Sequence, residues 1–227
     1  PHGLPLMGKG DWNDAANRVG FEGRGESVWL AQFLYLSLQE VLPFLQLKHD
    51  EARQARYQTR AAEIRKLVNE KCWDGQWFVR AFRDDGRPLG VKGEKEGFIW
   101  INSQTWAVIA GIADADKLNA CMDASAEHLS TPFGMTNLGP AYTTYDPTVG
   151  LLSAFLPGRK ENAAIFSHAS AFHVVARALL GRGKAAVELY RNILPSGRDP
   201  DLYAVESYIY SQYSAGPGAG KLCGEGA

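Results

Sequence analysis

The chain is short of cysteine, of net charge and of long apolar runs, and each shortage excludes something. Only Cys72, Cys121 and Cys223 stand in 227 residues. They are too few and too far apart for a disulfide framework or a thiolate metal centre, and they point to buried thiols in a reducing, cytoplasmic setting. Lys and Arg number 24 against 25 Asp and Glu, a formal charge of −1. That balance argues against a nucleic acid or a membrane surface held by bulk electrostatics. No apolar run reaches membrane-spanning length, and no charged-then-apolar leader opens the chain. There is no Gly-x-Gly-x-x-Gly unit, no His-Glu-x-x-His helix and no Gly-x-Ser-x-Gly elbow. Gly216-Pro217-Gly218-Ala219-Gly220-Lys221 lacks the hydroxyl residue and following helix that a phosphate loop needs. No metal and no organic cofactor is expected.

What is present is helical and aromatic. Hydrophobic residues make up 45% of the chain, enough for one large core or two small ones, and six are Trp. Residues 26–48 are rich in helix formers and apolar nearly all round, which predicts a buried helix that Pro43 kinks or ends early. Residues 50–70 predict an amphipathic helix capped by Asp50, with Ala52, Ala55, Ala62 and Leu67 on its inner side. The alternation recurs. Ser103–Ala113 is apolar and Asp114–Leu129 amphipathic; Ile165–Leu180 is mostly apolar, stopped by Gly181, and Lys184–Leu194 is amphipathic, ended by Pro195. Three inner–outer pairs fit part of an (α/α) toroid. They also fit an α-solenoid, although no residue pattern repeats at a fixed short period. Trp77–Phe82 followed by Asp84-Asp85-Gly86 reads as a strand entering a turn. Three long segments, 8–25, 131–162 and 195–227, flank the inner helices and in a toroid would gather over one rim. Loops of that length are usually functional.

Three constellations carry chemistry. Asp11-Trp12-Asn13-Asp14 sets two carboxylates and an amide around an indole, between glycines at 8, 10 and 20. An indole covers the apolar face of a pyranose, and a carboxylic acid can protonate a glycosidic oxygen. Spacing does not say which Asp would do so, and a polar turn around a buried Trp is the bland alternative. Lys160, Glu161 and Asn162 precede an inner helix, with His168 one to two turns into it. Cations and an imidazole at a helix N-terminus suit an anion, while a capped helix start with His168 in the core is the simpler local reading. His173, on the same helix, reads as a core residue. Glu206–Tyr213 alternates Tyr with Ser and Gln, which suits a sugar-facing wall but on pattern alone reads as an exposed aromatic loop.

Gly10–Asp14 together with Asn17-Arg18-Val19-Gly20 resembles the catalytic motif of the inverting disaccharide phosphorylases of glycoside hydrolase family 94, which act on cellobiose, chitobiose or cellobionic acid. Cys72–Phe82, Asn102–Gly111 and Pro157–His168 match further stretches of that family, in family order and across nearly the whole chain. The resemblance implies an all-α fold in which residues 1–227 form part of an (α/α)6 catalytic barrel with long loops and a short β-hairpin. An N-terminal β-sandwich and the first part of the barrel would lie upstream of Pro1, and a Thr-Gly pair of the phosphate cradle would lie beyond the Gly-rich stretch. It implies Asp14 as general acid and Trp12, Glu161 and Gln212 as contacts of the transferred glycosyl unit. Lys160 would contact the acceptor sugar and His168 phosphate. The partners implied are a disaccharide, cellobiose-like glucosides first, and inorganic phosphate as co-substrate, with the full-length protein a homodimer. Where the family often has Gly-Gly after Lys-Glu-Asn, this chain has Ala163-Ala164. Three other readings stand beside this one: an inverting hydrolase with Glu161 as base, a phosphorylase-like module of a β-glucan synthase, and a non-enzymatic helical scaffold.

Overall fold

Apolar and amphipathic helices alternate along the chain, and each alternation is packed as a pair. The computed structural model describes residues 2–206 and 208–227. Pro1 lies outside the described residues, as does Ser207 within the Glu206–Tyr213 stretch. Helix α1 (Val28–Leu47) packs on α2 (Glu51–Lys71), α3 (Ile101–Ala110) on α4 (Ala115–Leu129), and α5 (Ser167–Leu179) on α6 (Gly183–Ile193). Helix α3 also lies between α1 and α5. The result is an arc two layers deep, with α1, α3 and α5 inside and α2, α4 and α6 outside. Caps set the helix starts: Ser27 Oγ accepts from the Leu30 amide at 3.0 Å, Asp50 from Arg53 at 3.0 Å and Asp114 from Lys117 at 2.9 Å. Each such cap contributes about 1 kcal/mol.

A two-residue strand runs directly into every inner helix. Strand β1 (Glu26–Ser27) precedes α1, β4 (Ile99–Trp100) precedes α3 and β8 (Ile165–Phe166) precedes α5. Strands β2 (Ala81–Phe82) and β3 (Pro88–Leu89) form the expected hairpin, and β1 adds to it antiparallel, with Glu26 opposite Phe82. Strand β4 pairs with β7 (Leu138–Gly139), β5 (Ser130–Thr131) with β6 (Gly134–Met135), and β8 with β9 (Tyr213–Ser214). The sheet content therefore exceeds the single hairpin expected. These ties pin loop segments to the starts of the inner helices. The loops also have their own core, in which Met7, Ala16, Val19, Trp100, Leu138 and Val149 are buried, apart from the main helical core around Ile64, Phe78 and Met122.

The structure departs from the sequence reading at four places. Helix α1 continues four residues past Pro43. Pro43 is exposed near the C-terminus, and Gln39, whose carbonyl it deprives of a partner, is exposed to water as well. Helix α1 is not buried all round: Phe33, Phe44 and Leu47 are exposed. It is long and apolar enough by composition to cross a membrane, contrary to the expectation that no run is, yet it packs on α2 and α3, and its buried Gln32 donates to the Ser103 carbonyl at 2.9 Å. Helix α2 buries Ala61, Ile64 and Val68 and leaves Ala52, Ala55 and Ala62 exposed. Branched chains recover more apolar area than alanines, so they set the face. Finally, Ile165 and Phe166 are strand, so α5 starts at Ser167 and His168 sits in its first turn rather than one to two turns in.

His173 is the core residue expected of it. It is fully buried on α5 and shares a 2.9 Å hydrogen bond between Nε2 and Ser125 Oγ of α4. Burial, with Arg177 nearby, pushes its pKa down to about 3 from 6.5. Above pH 6.5 both folded and unfolded chains hold it neutral. Between 6.5 and 3 only the unfolded chain takes the proton, so stability falls as the pH is lowered through that window. At pH 5 this single group removes about 2 kcal/mol. Urea titrations at pH 7.5 and 5 are expected to show that loss in the wild type and to show it reduced by about that amount in His173→Asn.

Candidate active site

The Gly10–Asp14 motif divides by parity. Asp11 and Asn13 point into the protein, and Trp12 and Asp14 line a cavity. The Asp11 side chain is fully buried in an ion pair with the equally buried Arg80. Its other oxygen accepts from Ser27 Oγ at 2.5 Å, at the start of α1. Burial works against the charge, but Arg80 and the hydrogen bonds from Arg80, Ser27 and the Asn13 amide outweigh it and hold the carboxyl below the usual range. Asn13 Oδ1 accepts from Arg80 Nη2 at 2.9 Å and from Nε at 3.3 Å, and from Asn102 Nδ2 of α3 at 3.3 Å. The ambiguity left by spacing is thereby removed on physical grounds: Asp11 is a paired structural carboxylate, and Asp14 is the carboxyl that a ligand can reach.

The opposite wall is built from two loops and the first turn of α5. Residues 157–163 turn back on themselves, with the Gly158 amide donating to the Asn162 carbonyl at 2.8 Å. Lys160 and Ala163 adopt left-handed backbone, φ 47° and 62°. For alanine this costs about 1–2 kcal/mol, which glycine would avoid. Asn162 is fully buried. It accepts from the Tyr142 amide and donates to the Tyr142 and Phe155 carbonyls, each at 2.8 Å, and so fastens three segments together. The Gly-rich stretch lies against this turn: a Cβ on Gly216 would come within 2.0 Å of the Ala163 carbonyl oxygen, so only glycine permits the approach. Pairing of Phe166 with Tyr213, and of the Ser167 amide with the Gln212 carbonyl at 3.2 Å, hangs residues 211–214 beside α5.

These elements enclose a cavity of about 670 Å³. Trp12, Asp14, Lys160, Glu161, His168 and Gln212 all line it, with Leu151, Phe155 and Tyr213 adding apolar surface. Asp14, Lys160, His168 and Gln212 are exposed to it, and Trp12 and Glu161 are half-buried. The Trp12 ring lies 5.8 Å from the His168 ring and 5.7 Å from Phe166. Glu161 Oε1 accepts from the Ala15 amide at 3.0 Å, next to Asp14 in the chain, while Oε2 is buried without a partner. Burial pushes the Glu161 carboxyl up, against the Ala15 hydrogen bond, and the neighbouring Asp14 charge adds to the rise. No side chain caps α5, whose first-turn amides sit beside His168. Such an arrangement can protonate a leaving group at Asp14, cover a sugar with Trp12 and hold an anion at His168.

Sequence reasoning missed Arg80 and Asn13 as organisers of the site. The signal for Arg80 is a lone cation in the apolar run Trp77–Phe82. Cys72 and Cys121 are buried and Cys223 half-buried, all free, and burial raises the thiols of the first two. Among the described residues no group of three His, Cys, Asp or Glu is placed to hold a metal.

Residues 1–226 match the family model of the glycosyl hydrolase 94 superfamily catalytic domain. The chain is 38% identical over 219 residues to solabiose phosphorylase of Paenibacillus borealis, covering 95% of this chain and 28% of that protein. It is 40% identical over 198 residues to 3-O-beta-D-glucopyranosyl-beta-D-glucuronide phosphorylase of the same organism, covering 87% and 26%. It is 33% identical to cyclic beta-(1,2)-glucan synthase NdvB of Rhizobium meliloti, covering 99% of this chain and 8% of that protein. The chain thus spans little more than a quarter of the first two relatives. Among solved structures it resembles a sialidase (16% identity, TM-score 0.66, 94% of this chain, 19% of that chain) and a glycosidase in complex with glucose (17%, TM-score 0.58, 83% and 41%). At that identity the likeness is one of fold.

Removing the Asn162 side chain leaves two carbonyls and one amide without partners in a buried place. Asn162→Ala is expected to cost at least about 2 kcal/mol, read by chemical denaturation.

Proposed function

Because the chain belongs to the glycosyl hydrolase 94 superfamily, we propose that it forms the catalytic part of an inverting glycoside phosphorylase. The reaction is β-linked disaccharide plus phosphate to α-sugar 1-phosphate plus free sugar, with a cellobiose-like glucoside as the substrate class. The observation that carries the reading is that Asp14 and His168 share one cavity with Trp12, Lys160, Glu161 and Gln212. Its partners are then the disaccharide and inorganic phosphate, the latter a co-substrate and not a cofactor.

On this reading Trp12 covers one face of the transferred pyranose, while Glu161 and Gln212 hold its hydroxyls. Lys160 faces the acceptor sugar. Phosphate binds at His168 against the uncapped amides of α5, where the helix dipole favours an anion. A phosphate oxygen attacks the anomeric carbon from the face opposite the leaving oxygen. The glycosidic C–O bond breaks, and that oxygen takes the proton of Asp14, so the anomeric configuration inverts. Phosphate is already a nucleophile, so no second carboxylate has to activate water. Its placement in line supplies much of the rate.

The same reading completes the arc into an (α/α)6 ring, with the first part of the barrel and a β-sandwich preceding these residues. Support comes from the apolar side chains left open on the flanking inner helices, Phe33 on α1 and Val175 and Leu179 on α5. We take the full-length protein to be a cytoplasmic homodimer. A second reading is favoured by the likeness to a glucan synthase across 99% of this chain: the same chemistry as a module of a β-glucan synthase, acting on chain ends rather than free disaccharides.

Full-length protein is expected to consume phosphate with cellobiose, chitobiose or cellobionate. Equal cleavage with phosphate and arsenate both left out would defeat the proposal. Asp14→Asn is expected to lower kcat by roughly 10²-fold or more with the circular dichroism spectrum unchanged. His168→Ala is expected to raise KM for phosphate by about 10–100-fold, the loss of one hydrogen bond to a charged group.

A further inference from the structure

Arg80 lies beneath the site and contacts no part of the cavity. It is fully buried, and its guanidinium makes two separate attachments, to Asp11 and to Asn13, the residues on either side of Trp12. Holding the residue on each side of Trp12, and the one before Asp14, leaves both cavity side chains little freedom. Glu161 in turn accepts from the amide of Ala15, next to Asp14 in the chain. Both cavity carboxyls are therefore tied to the segment that Arg80 holds, Asp14 as part of it and Glu161 through the Ala15 amide. The loop meets each inner helix start as well: Ser27, the cap of α1, holds Asp11, Asn102 of α3 holds Asn13, and Phe166 and His168 at the start of α5 pack on Trp12.

We propose that Arg80 is the positioning residue of the reaction described above, fixing Asp14 and Glu161 through its joint hold on Asp11 and Asn13. The inference rests on that reading for its kinetic test only. A planar guanidinium can serve two acceptors at once, whereas lysine offers a point charge on a flexible stem. The phosphate side of the cavity, at His168, has no contact with Arg80 and is left intact when it is changed.

The test uses full-length protein carrying Arg80→Lys, Arg80→Met or Arg80→Ala. Misplacing a catalytic group by about 1 Å costs on the order of 10² in rate. Arg80→Met is expected to lower kcat about 10²-fold per folded molecule while KM for phosphate stays within about threefold, as measured by phosphate consumption. Arg80→Lys is expected to fall between the two, and added guanidinium ion to restore part of the activity of Arg80→Ala. A folded Arg80→Met enzyme that keeps kcat within twofold of wild type overturns the proposal, as does a loss accounted for entirely by the unfolded fraction. If the wild type shows no phosphate-dependent cleavage, the functional reading fails by itself. The crystal structure of Arg80→Met then decides the positioning claim: an Asp14 carboxyl displaced by about 1 Å or more upholds it, and one in place refutes it.

Discussion

The site depends on one buried ion pair. Placing the Arg80 guanidinium away from water is costly unless its charge and N–H groups are met. Asp11 meets the charge and Asn13 accepts two of the N–H groups. The converse holds for Asp11, whose buried carboxylate would otherwise protonate. Such a pair contributes little net stability compared with a well-packed apolar core, but removing one member leaves an uncompensated charge. Its effect is one of specification. Arg80 finds these partners with Asp11 and Asn13 turned inward together, its Nη1 staying buried without one, and in that arrangement Trp12 and Asp14 face the cavity.

The rest of the site follows from where the inner helices begin. Outer helices carry the chain back, so α1, α3 and α5 start at one end of the arc, and the motif loop touches all three starts. Loops of this length would ordinarily be mobile. Here they have a core of their own, a buried asparagine joining three segments, and a Gly-rich stretch pressed against the turn that carries Lys160 and Glu161. Left-handed backbone at Lys160 and Ala163 is held by those contacts. Strain of this kind persists only where the surroundings over-determine it.

Much of this was legible in the sequence, and the illegible parts have physical reasons. The inner–outer alternation could be read because helix burial writes a 3.6-residue period. The six candidate residues stood in three local constellations, their roles came from the family resemblance, and the structure brings all six to one cavity. Local pattern alone would have put His168 in the core, because the two residues before α5 look like helix but are drawn into a strand by pairing with residues 213–214. The exposed alanines of α2 misled for a related reason: alanine favours helix without saying which side is buried. Arg80 was invisible as an organiser. Its partners lie 67 and 69 residues away, and no period connects them.

On the proposed reading, the contrast between the two motif aspartates bears on why the site can manage with one acid. Asp11 is held ionised by Arg80 and cannot donate a proton near neutral pH. Glu161 is pushed toward its neutral form by burial and by Asp14, but one of its oxygens is taken by the Ala15 amide and the other is buried. A base that activates water must present a free, ionised oxygen across the sugar from the acid, with about 6.5–9.5 Å between the two carboxyls. Glu161 Oε1 is already taken by the amide of Ala15, next to Asp14 in the chain. The wall facing Asp14 carries His168 in the first turn of α5, where an anion can be held, and Lys160 as a cation. On the proposed reading, the nucleophile that such a wall admits must arrive already charged.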